Sequence, residues 1–310
     1  MNNHHTVSVV IPCYKQAGFL AEAIESVLAQ THRHFEIIVV DDGSPDNTSG
    51  VAASYPSVRC IRQENRGLSA ARNMGLGVSK GEFLVFLDAD DRLTTNSLES
   101  GLDCFRKFPV AAFVVGKHKR ICAEGLPTTI QHRRLIEKDH YIELLRANYI
   151  GCPATVMYRR SVFDVVRGFD TTVNAASDYD LYLRIAQKFP ICCHAEFVAE
   201  YRSHGENMSS NHQLMGEQVN RVLGSQLKQA SGNKAYEEAC RSGIKFYRRL
   251  YRTAGLVQRM QTNARRKDWS GTLESMVSLL WFNPRVFGET IGRKLRLVIS
   301  QELGLSREAM

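Results

Sequence analysis

Residues 7–90 alternate between short apolar runs and amphipathic segments, and this alternation restricts the fold more than any other feature of the chain. The apolar runs predict strands at 7–11, 36–40, 58–61 and 83–87, with helices between them. Strands that alternate with helices favour right-handed crossovers and a parallel sheet that is covered on both faces. We therefore expect an α/β fold with a mostly parallel sheet flanked by helices.

Acidic residues follow two of these strands. Asp41 and Asp42 follow the second strand, and Asp88 and Asp90 follow the fourth. Ligands of such sheets bind beyond the carboxyl ends of the strands, so these acids should meet in one cleft. Two carboxylates one residue apart can share Mg²⁺ or Mn²⁺, cations that commonly neutralise a diphosphate. The simpler alternative is a solvated acidic turn in which Asp91 caps a helix.

Positive charge is concentrated in the last third of the chain. Residues 211–310 contain 17 Lys+Arg against 8 Asp+Glu, whereas residues 1–210 are close to neutral. This shift predicts a domain at 1–210 followed by a basic helical region at 211–310. Apolar residues from Leu273 to Trp281 recur at helical spacing, and Asn283-Pro284 predicts the start of another helix. The simplest interpretation of this region is a helical appendage that packs on the main domain.

Several classes of protein lack support in the sequence. The turn after the first strand has no glycine fingerprint of a dinucleotide site, and no Walker, serine-hydrolase or zinc-protease motif is present. No apolar stretch approaches the roughly 20 residues that span a bilayer, and the first six residues do not resemble a signal peptide. We therefore expect a cytoplasmic protein. Its eight cysteines, never at Cys-x-x-Cys spacing, predict reduced thiols.

An ordered set of motifs runs through the first 205 residues. These motifs are VSVVIPCY at 7–14, EIIVVDDGS at 36–44, Asn65-x-Gly67, Ala71-Arg72-Asn73, Gly81-Glu82, Leu87-Asp88-Ala89-Asp90-Asp91, Gly168-Phe169-Asp170, Ser177-Asp178-Tyr179-Asp180-Leu181 with Arg184, and Tyr201-Arg202-x-His204. Together they resemble glycosyltransferase family 2. The resemblance implies a nucleotide-sugar-binding domain of the A-type glycosyltransferase fold. It also implies transfer with inversion at the sugar.

The resemblance implies a role for each matching residue. Pro12, Tyr14 and Asp42 would hold the base and ribose, Asn65 and Arg72 would border the diphosphate, Asp88 would lie near the ribose, Asp90 would bind Mn²⁺ or Mg²⁺, His204 would reach the metal or diphosphate, and Asp178 would be the catalytic base. The chain departs from the family at Lys15, where Asn is common, and at Ser177, where Glu is usual.

Four of these residues also have a structural interpretation. Asp42 could cap a turn, Arg72 could form a surface ion pair, Asp178 could cap a helix, and His204 could be a solvated loop residue. The sequence leaves these alternatives open.

The predicted function is metal-dependent transfer of a sugar from a nucleotide-diphosphate donor, most simply a UDP-sugar. The acceptor would be a hydroxyl on a lipid-linked or surface polysaccharide. Two alternatives remain: a donor-binding protein without catalysis, and a basic protein whose residues 214–310 bind nucleic acid or another polyanion. The aspartates at the strand ends disfavour nucleic acid. Arginines 248, 249, 252 and 259 lie among apolar residues and predict contact with an anionic membrane, at the inner face of the cell membrane, or with a second subunit.

Overall fold

The computed structural model describes residues 5–128, 135–205 and 207–292. The strands are β1 Val7–Cys13, β2 Phe35–Asp41, β3 Val58–Arg62, β4 Phe83–Phe86, β5 Arg92–Leu93, β6 Phe113–Ile121, β7 Val156–Arg159 and β8 Cys192–Arg202. The helices are α1 Ala17–Leu28, α2 Thr48–Ala53, α3 Leu68–Val78, α4 Ser97–Lys107, α5 His140–Arg146, α6 Val162–Val166, α7 Ser177–Ala186, α8 His212–Gln229, α9 Lys234–Arg265 and α10 Trp269–Phe282. The α/β class predicted from the sequence is confirmed.

The eight strands form one sheet in the order β3-β2-β1-β4-β7-β6-β8-β5. The first four strands are parallel, with β1 between β2 and β4. The register pairs Cys13 with Asp41 and Val10 with Phe86. The carboxyl ends of β1, β2 and β4 therefore lie side by side, as the sequence predicted. Pro12 lies inside β1, one residue before its end, although the sequence prediction ended the strand at Ile11.

Apolar clusters cover the parallel sheet on both faces. Val7, Val9 and Ile11 of β1 belong to one cluster, and Val10 belongs to the other. Every residue of β1 is buried. A strand that is covered on both sides needs apolar residues at consecutive positions, and this explains the uninterrupted apolar runs.

The sequence also predicts strands at 111–115 and 154–158 that complete the sheet, and a helix at 180–188. The strands do complete the sheet, as β6 and β7, but two boundaries differ from the prediction. Strand β6 continues through Lys117–Arg120 because these residues pair with β8. Helix α7 begins at Ser177, not at Asp180, so Asp178 lies in its first turn. Backbone pairing and a helix start thus extend into polar residues that resemble loops in the sequence.

Helices α8 and α9 pack on the core of the preceding α/β part. Val222 and Leu223 of α8 and Cys240 of α9 belong to the same apolar cluster as Leu144. A Cβ atom on Gly243 would lie 2.0 Å from the Leu145 carbonyl oxygen, so the helix backbone approaches α5 closely. The division of the chain near residue 210 remains a prediction.

Helix α10 packs against α9, and residues 284–292 are helical, as the Asn283-Pro284 pair predicted. Residues 1–4, part of the segment compared with a signal peptide, lie outside the described residues. Residues 293–310, part of the basic helical region, also lie outside them. Within the described ranges, no helix has both the length and the apolar character needed to cross a membrane.

Candidate active site

The turn after β4 carries three aspartates. The backbone N–H of Asp91 donates to the Asp88 carbonyl oxygen at 3.0 Å, which closes a tight turn. The Asp91 side chain is buried and accepts from the Arg202 backbone N–H at 2.8 Å. Asp91 therefore anchors the turn to β8, whereas Asp88 and Asp90 retain partly exposed side chains.

A buried arginine connects Asp88 to helix α7. Arg72 of α3 is 2% exposed and donates to Asp88 Oδ1 at 2.6 Å. Its other terminal nitrogen lies 3.4 Å from Ser177 Oγ. Burial opposes the charge of Arg72, but the charges of Asp88 and Asp178 hold its pKa above the ordinary value. Arg72 is therefore an interior residue, and the surface ion pair considered in the sequence is wrong.

Asp90 lies against His204. His204 Nε2 and Asp90 Oδ2 are 2.9 Å apart, and the His204 ring packs on Phe19 at a centroid distance of 5.1 Å. The imidazole is 8% exposed, so it is not a solvated loop side chain. Burial and the charge of Asp88 raise the pKa of Asp90, although the His204 hydrogen bond opposes this shift.

The donor set after β4 fits a divalent cation that also binds a diphosphate. Among the described residues, no group of three His, Cys, Asp or Glu side chains is placed to hold a metal ion. Mg²⁺ and similar cations are commonly held by one or two protein carboxylates together with phosphate oxygens. Asp90 supplies a carboxylate and His204 an imidazole, a combination that suits Mn²⁺.

Asp178 lies in the first turn of α7, next to Ser177, which Arg72 contacts. Burial raises the pKa of Asp178, and the positive charge of Arg72 opposes that shift. The helix N-terminus also stabilises a negative charge at this position, so a structural role as a first-turn acid is compatible with the geometry. The result is a carboxylate with a raised pKa close to the Asp88–Arg72 pair.

The ends of β1 and β2 form a second group of predicted residues. Tyr14 is 42% exposed, and the ammonium group of Lys15 lies 5.2 Å from its ring centroid. The Asp42 carboxylate accepts from Gln63 and from the backbone N–H groups of Arg66 and Gly67. These bonds shape the loop that leads into α3 and carries the exposed Asn65. Asp42 therefore organises the 63–67 loop. The cap of the turn at Gly43, which the sequence considered for Asp42, is provided by Asp41, which accepts from the Ser44 backbone N–H at 2.8 Å.

Arg202 is a site residue for which the sequence gave no role. It is fully buried, and its guanidinium donates to the carbonyl oxygens of Asp90 and Ala123 and to the Glu22 carboxylate. It thereby connects the aspartate turn to β8 and α1. The sequence signal that could have indicated this role is the place of Arg202 in the Tyr201-Arg202-x-His204 motif. Asn207, whose amide lies 3.4 Å from Asp90 Oδ2, lies outside every motif.

Comparison with known proteins finds a family match for this chain. Residues 8–167 match the family model described as Glycosyl transferase family 2. The chondroitin synthase of Escherichia coli is 30% identical over 66% of this chain and 30% of its own length. The chain spans only 30–37% of the length of the first four curated relatives that it matches.

Two solved structures share the fold. The first is residues 1–349 of S. aureus TarS in complex with UDP-GlcNAc, with a TM-score of 0.62 and 16% identity over 89% of this chain and 91% of TarS 1–349. The second is a mannosyltransferase of Pyrobaculum calidifontis in complex with GDP-Man and Mn²⁺, with a TM-score of 0.62 and 16% identity over 97% of this chain and 88% of that one. Both likenesses support the A-type fold that the sequence predicted.

Proposed function

This chain belongs to glycosyl transferase family 2, and from that membership we propose that it transfers a sugar from a nucleotide-diphosphate donor to a hydroxyl acceptor, with inversion. The observation that carries the proposal is the Asp88–Arg72–Ser177 connection, which holds the aspartate turn after β4 beside the helix that carries Asp178. One cleft edge thus combines candidate donor ligands with a candidate base.

The donor would lie across the ends of β1, β2 and β4. The exposed Tyr14 ring offers an aromatic face for the base. Asp42, at the adjacent strand end, already accepts three hydrogen bonds and would offer its remaining lone pair to a ring N–H. Pro12 and Asn65 would border the nucleoside and the diphosphate. UDP is the first donor nucleotide to test because the TarS structure contains UDP-GlcNAc, and GDP is its matched competitor because the mannosyltransferase contains GDP-Man.

Asp178 would act as the general base. The acceptor hydroxyl gives its proton to the Asp178 carboxylate as its oxygen bonds to the anomeric carbon, and the bond from that carbon to the diphosphate oxygen breaks on the opposite face. This geometry inverts the anomeric configuration. A raised pKa brings the carboxylate nearer to neutral pH, where a general base is most effective.

Asp90 and His204 would bind Mn²⁺ or Mg²⁺ together with the diphosphate. Bound there, the cation would neutralise charge on the leaving diphosphate. Asp88, held by Arg72, would face the ribose side of the donor. In this arrangement Arg72 positions Asp88, and its predicted place beside the diphosphate remains part of the proposal.

The acceptor proposed here is a lipid-linked or growing surface polysaccharide. The relative named chondroitin synthase supports a polysaccharide product. The basic residues 214–310 would place the enzyme at the inner face of the cell membrane, where lipid-linked acceptors are found.

The experiment is release of nucleoside diphosphate from a panel of UDP- and GDP-sugars, with Mn²⁺, with Mg²⁺ and with EDTA. We expect turnover of at least one sugar that requires the cation and is lost in Asp178→Asn. Asp164→Asn, an exposed carboxylate on α6, is the matched control and should retain full turnover. Folded wild-type protein that releases no nucleotide from any donor, with or without a glycan primer, would contradict the proposal.

A further inference from the structure

Helix α10 exposes a continuous apolar face. Trp269 and Trp281 are 68% and 85% exposed, and Leu273, Val277 and Leu280 between them are also exposed. The five residues follow one another at helical spacing and therefore lie along one side of the helix. Scattered exposed apolar residues are normal, but an aligned stripe with tryptophan at both ends indicates an interaction surface.

The opposite face of α10 is fixed against α9. Ser275 and Leu279 are buried, and the Asn283 amide donates to Thr253 Oγ1 at 3.2 Å. These contacts settle which side of α10 packs and which side is exposed. The stripe is therefore not the face that attaches the helix to the protein.

Cationic side chains lie at both ends of α10. Arg265 ends α9, and Arg266 and Lys267 follow it in the turn before Trp269; all three are exposed. At the other end of α10, on the side of α9, the Arg252 guanidinium lies 4.3 Å from the Phe282 ring centroid, and Arg249 donates to Asn283 Oδ1 at 3.3 Å.

Two acids lie on or beside α10. The Asp268 carboxylate is occupied as the N-cap, since it accepts from the Gly271 N–H at 3.0 Å. Glu274 is an exposed carboxylate on the helix. Five cations against these two acids leave the surroundings of the stripe basic.

We propose that this face of α10 binds the surface of an anionic lipid bilayer, with the helix axis in the plane of the membrane. The aliphatic residues would enter the acyl boundary, the two indoles would lie at the headgroup level, and the flanking cations would meet lipid phosphates. A second copy of the chain fits less well, because a two-fold contact through this stripe would bring its cationic ends together. The inference rests on the proposed function only for its biological purpose, which is access to a lipid-linked acceptor. Membrane binding itself requires no sugar donor, metal ion or catalysis.

Tryptophan fluorescence tests this inference directly, because the chain contains two tryptophans and both lie on the stripe. We expect vesicles of phosphatidylglycerol and phosphatidylethanolamine to shift the emission of the full chain to shorter wavelength at low salt. The protein should cosediment with the same vesicles, and both effects should weaken as salt rises. Phosphatidylcholine vesicles should produce a much smaller response.

Variants separate the two contributions. Arg265→Gln, Arg266→Gln and Lys267→Gln should each weaken the binding to anionic vesicles by about fivefold. Leu273→Gln with Leu280→Gln should remove the spectral shift. Val110→Gln, a change at a 76% exposed apolar residue outside α10, is the matched control and should bind as the wild type does.

Three results would overturn the inference. The first is an unchanged emission spectrum with anionic vesicles at low salt. The second is equal binding by the wild type and the Leu273→Gln, Leu280→Gln double variant. The third is a blue shift without lipid that grows with protein concentration, which would assign the stripe to a second copy. Asp178→Asn should bind vesicles normally, so failure of the proposed catalysis would be distinguished from failure of this inference.

Discussion

The carboxyl ends of β2 and β4, which flank β1 in the sheet, carry acidic residues with different hydrogen-bond partners. At the end of β2, Asp41 accepts from Ser44, Ser49 and Arg62, and Asp42 also accepts three hydrogen bonds. Most of these donors belong to the adjoining loops. The acids at this strand end are therefore engaged mainly in fixing the backbone of the cleft.

The acids after β4 have fewer compensating partners. Asp88 accepts from Arg72, and Asp90 accepts from His204 and Asn207. Within the described part of the chain, buried Asp91 Oδ2 has no hydrogen-bond partner. Burial and mutual repulsion raise the pKa values of Asp90 and Asp91. The hydrogen-bond donors around a strand-end carboxylate therefore decide whether it remains available to bind a metal ion.

The largest expected effect concerns the base beside the β4 acids. Asp178→Asn should lower the transfer rate by about 10²- to 10⁴-fold, because an amide of the same size cannot accept the acceptor's proton. Single-turnover transfer and donor binding should be measured separately, and donor affinity should stay near that of the wild type. Transfer at the wild-type rate to a verified acceptor would remove Asp178 from the mechanism.

Two arginines offer a matched test of the two strand ends. Arg202→Lys should lower Mn²⁺-dependent UDP affinity by about 10- to 100-fold, because lysine cannot reproduce the fork that holds the Asp90 turn. Arg62→Lys, beside Asp41, is half-exposed and should leave that affinity unchanged. Calorimetry of UDP with Mn²⁺ measures both. Equal effects at the two positions would erase the distinction between the strand ends.

The two groups should differ in how much their loss destabilises the fold. Asp42→Ala removes a buried acceptor of three hydrogen bonds, leaves partly buried loop donors unsatisfied, and should lower the free energy of unfolding by about 1–3 kcal/mol. Asp90→Ala removes a carboxylate whose charged form is opposed by burial and by Asp88, so the protein without metal should lose little stability or gain some. Urea unfolding of both variants without metal checks this. A larger loss in Asp90→Ala than in Asp42→Ala would be inconsistent with the comparison.

The smallest expected effect is on the pH profile. Asp178 must be deprotonated to act, so the acid limb of kcat/KM should lie above the ordinary aspartate pKa of about 3.9. Arg72→Gln removes a charge that opposes the raised pKa, and the limb should move to higher pH.

Protonation of Asp178 should lower activity but stabilise the fold. The folded protein binds the Asp178 proton more tightly than the unfolded chain, so this group stabilises the fold as pH falls through its raised pKa. Loss of activity in that window should therefore occur without unfolding, as circular dichroism would show. An acid limb at the ordinary aspartate pKa, unmoved in Arg72→Gln, would argue against Asp178 as the titrating group.

The sequence was sufficient to predict the parallel half of the sheet. Strands covered on both faces need consecutive apolar residues, so β1, β2 and β4 could be predicted from apolar runs. Their alternation with helices indicated a parallel sheet, in which the carboxyl ends share one edge. The acids at those ends could be predicted as well, because they directly follow the apolar runs. Their different hydrogen-bond partners could not be predicted, because the donors come from loops and helices elsewhere in the chain.

Long-range contacts account for most of what the sequence did not predict. Arg202 donates to the Asp90 carbonyl across 112 positions of the chain. The polar half of β6 is a strand because β8 pairs with it. Periodicity predicted α10 but not which face would remain uncovered, since that depends on how α9 packs.

The most direct test of the central claim is the Mn²⁺ dependence of UDP binding in Asp90→Ala, measured by calorimetry beside the wild type and Asp41→Asn. If the turn after β4 is the cation and diphosphate site, the wild type and Asp41→Asn will bind UDP more tightly with Mn²⁺ than with EDTA, and Asp90→Ala will bind equally in both. An Asp90→Ala protein that keeps the full Mn²⁺ dependence would contradict the claim.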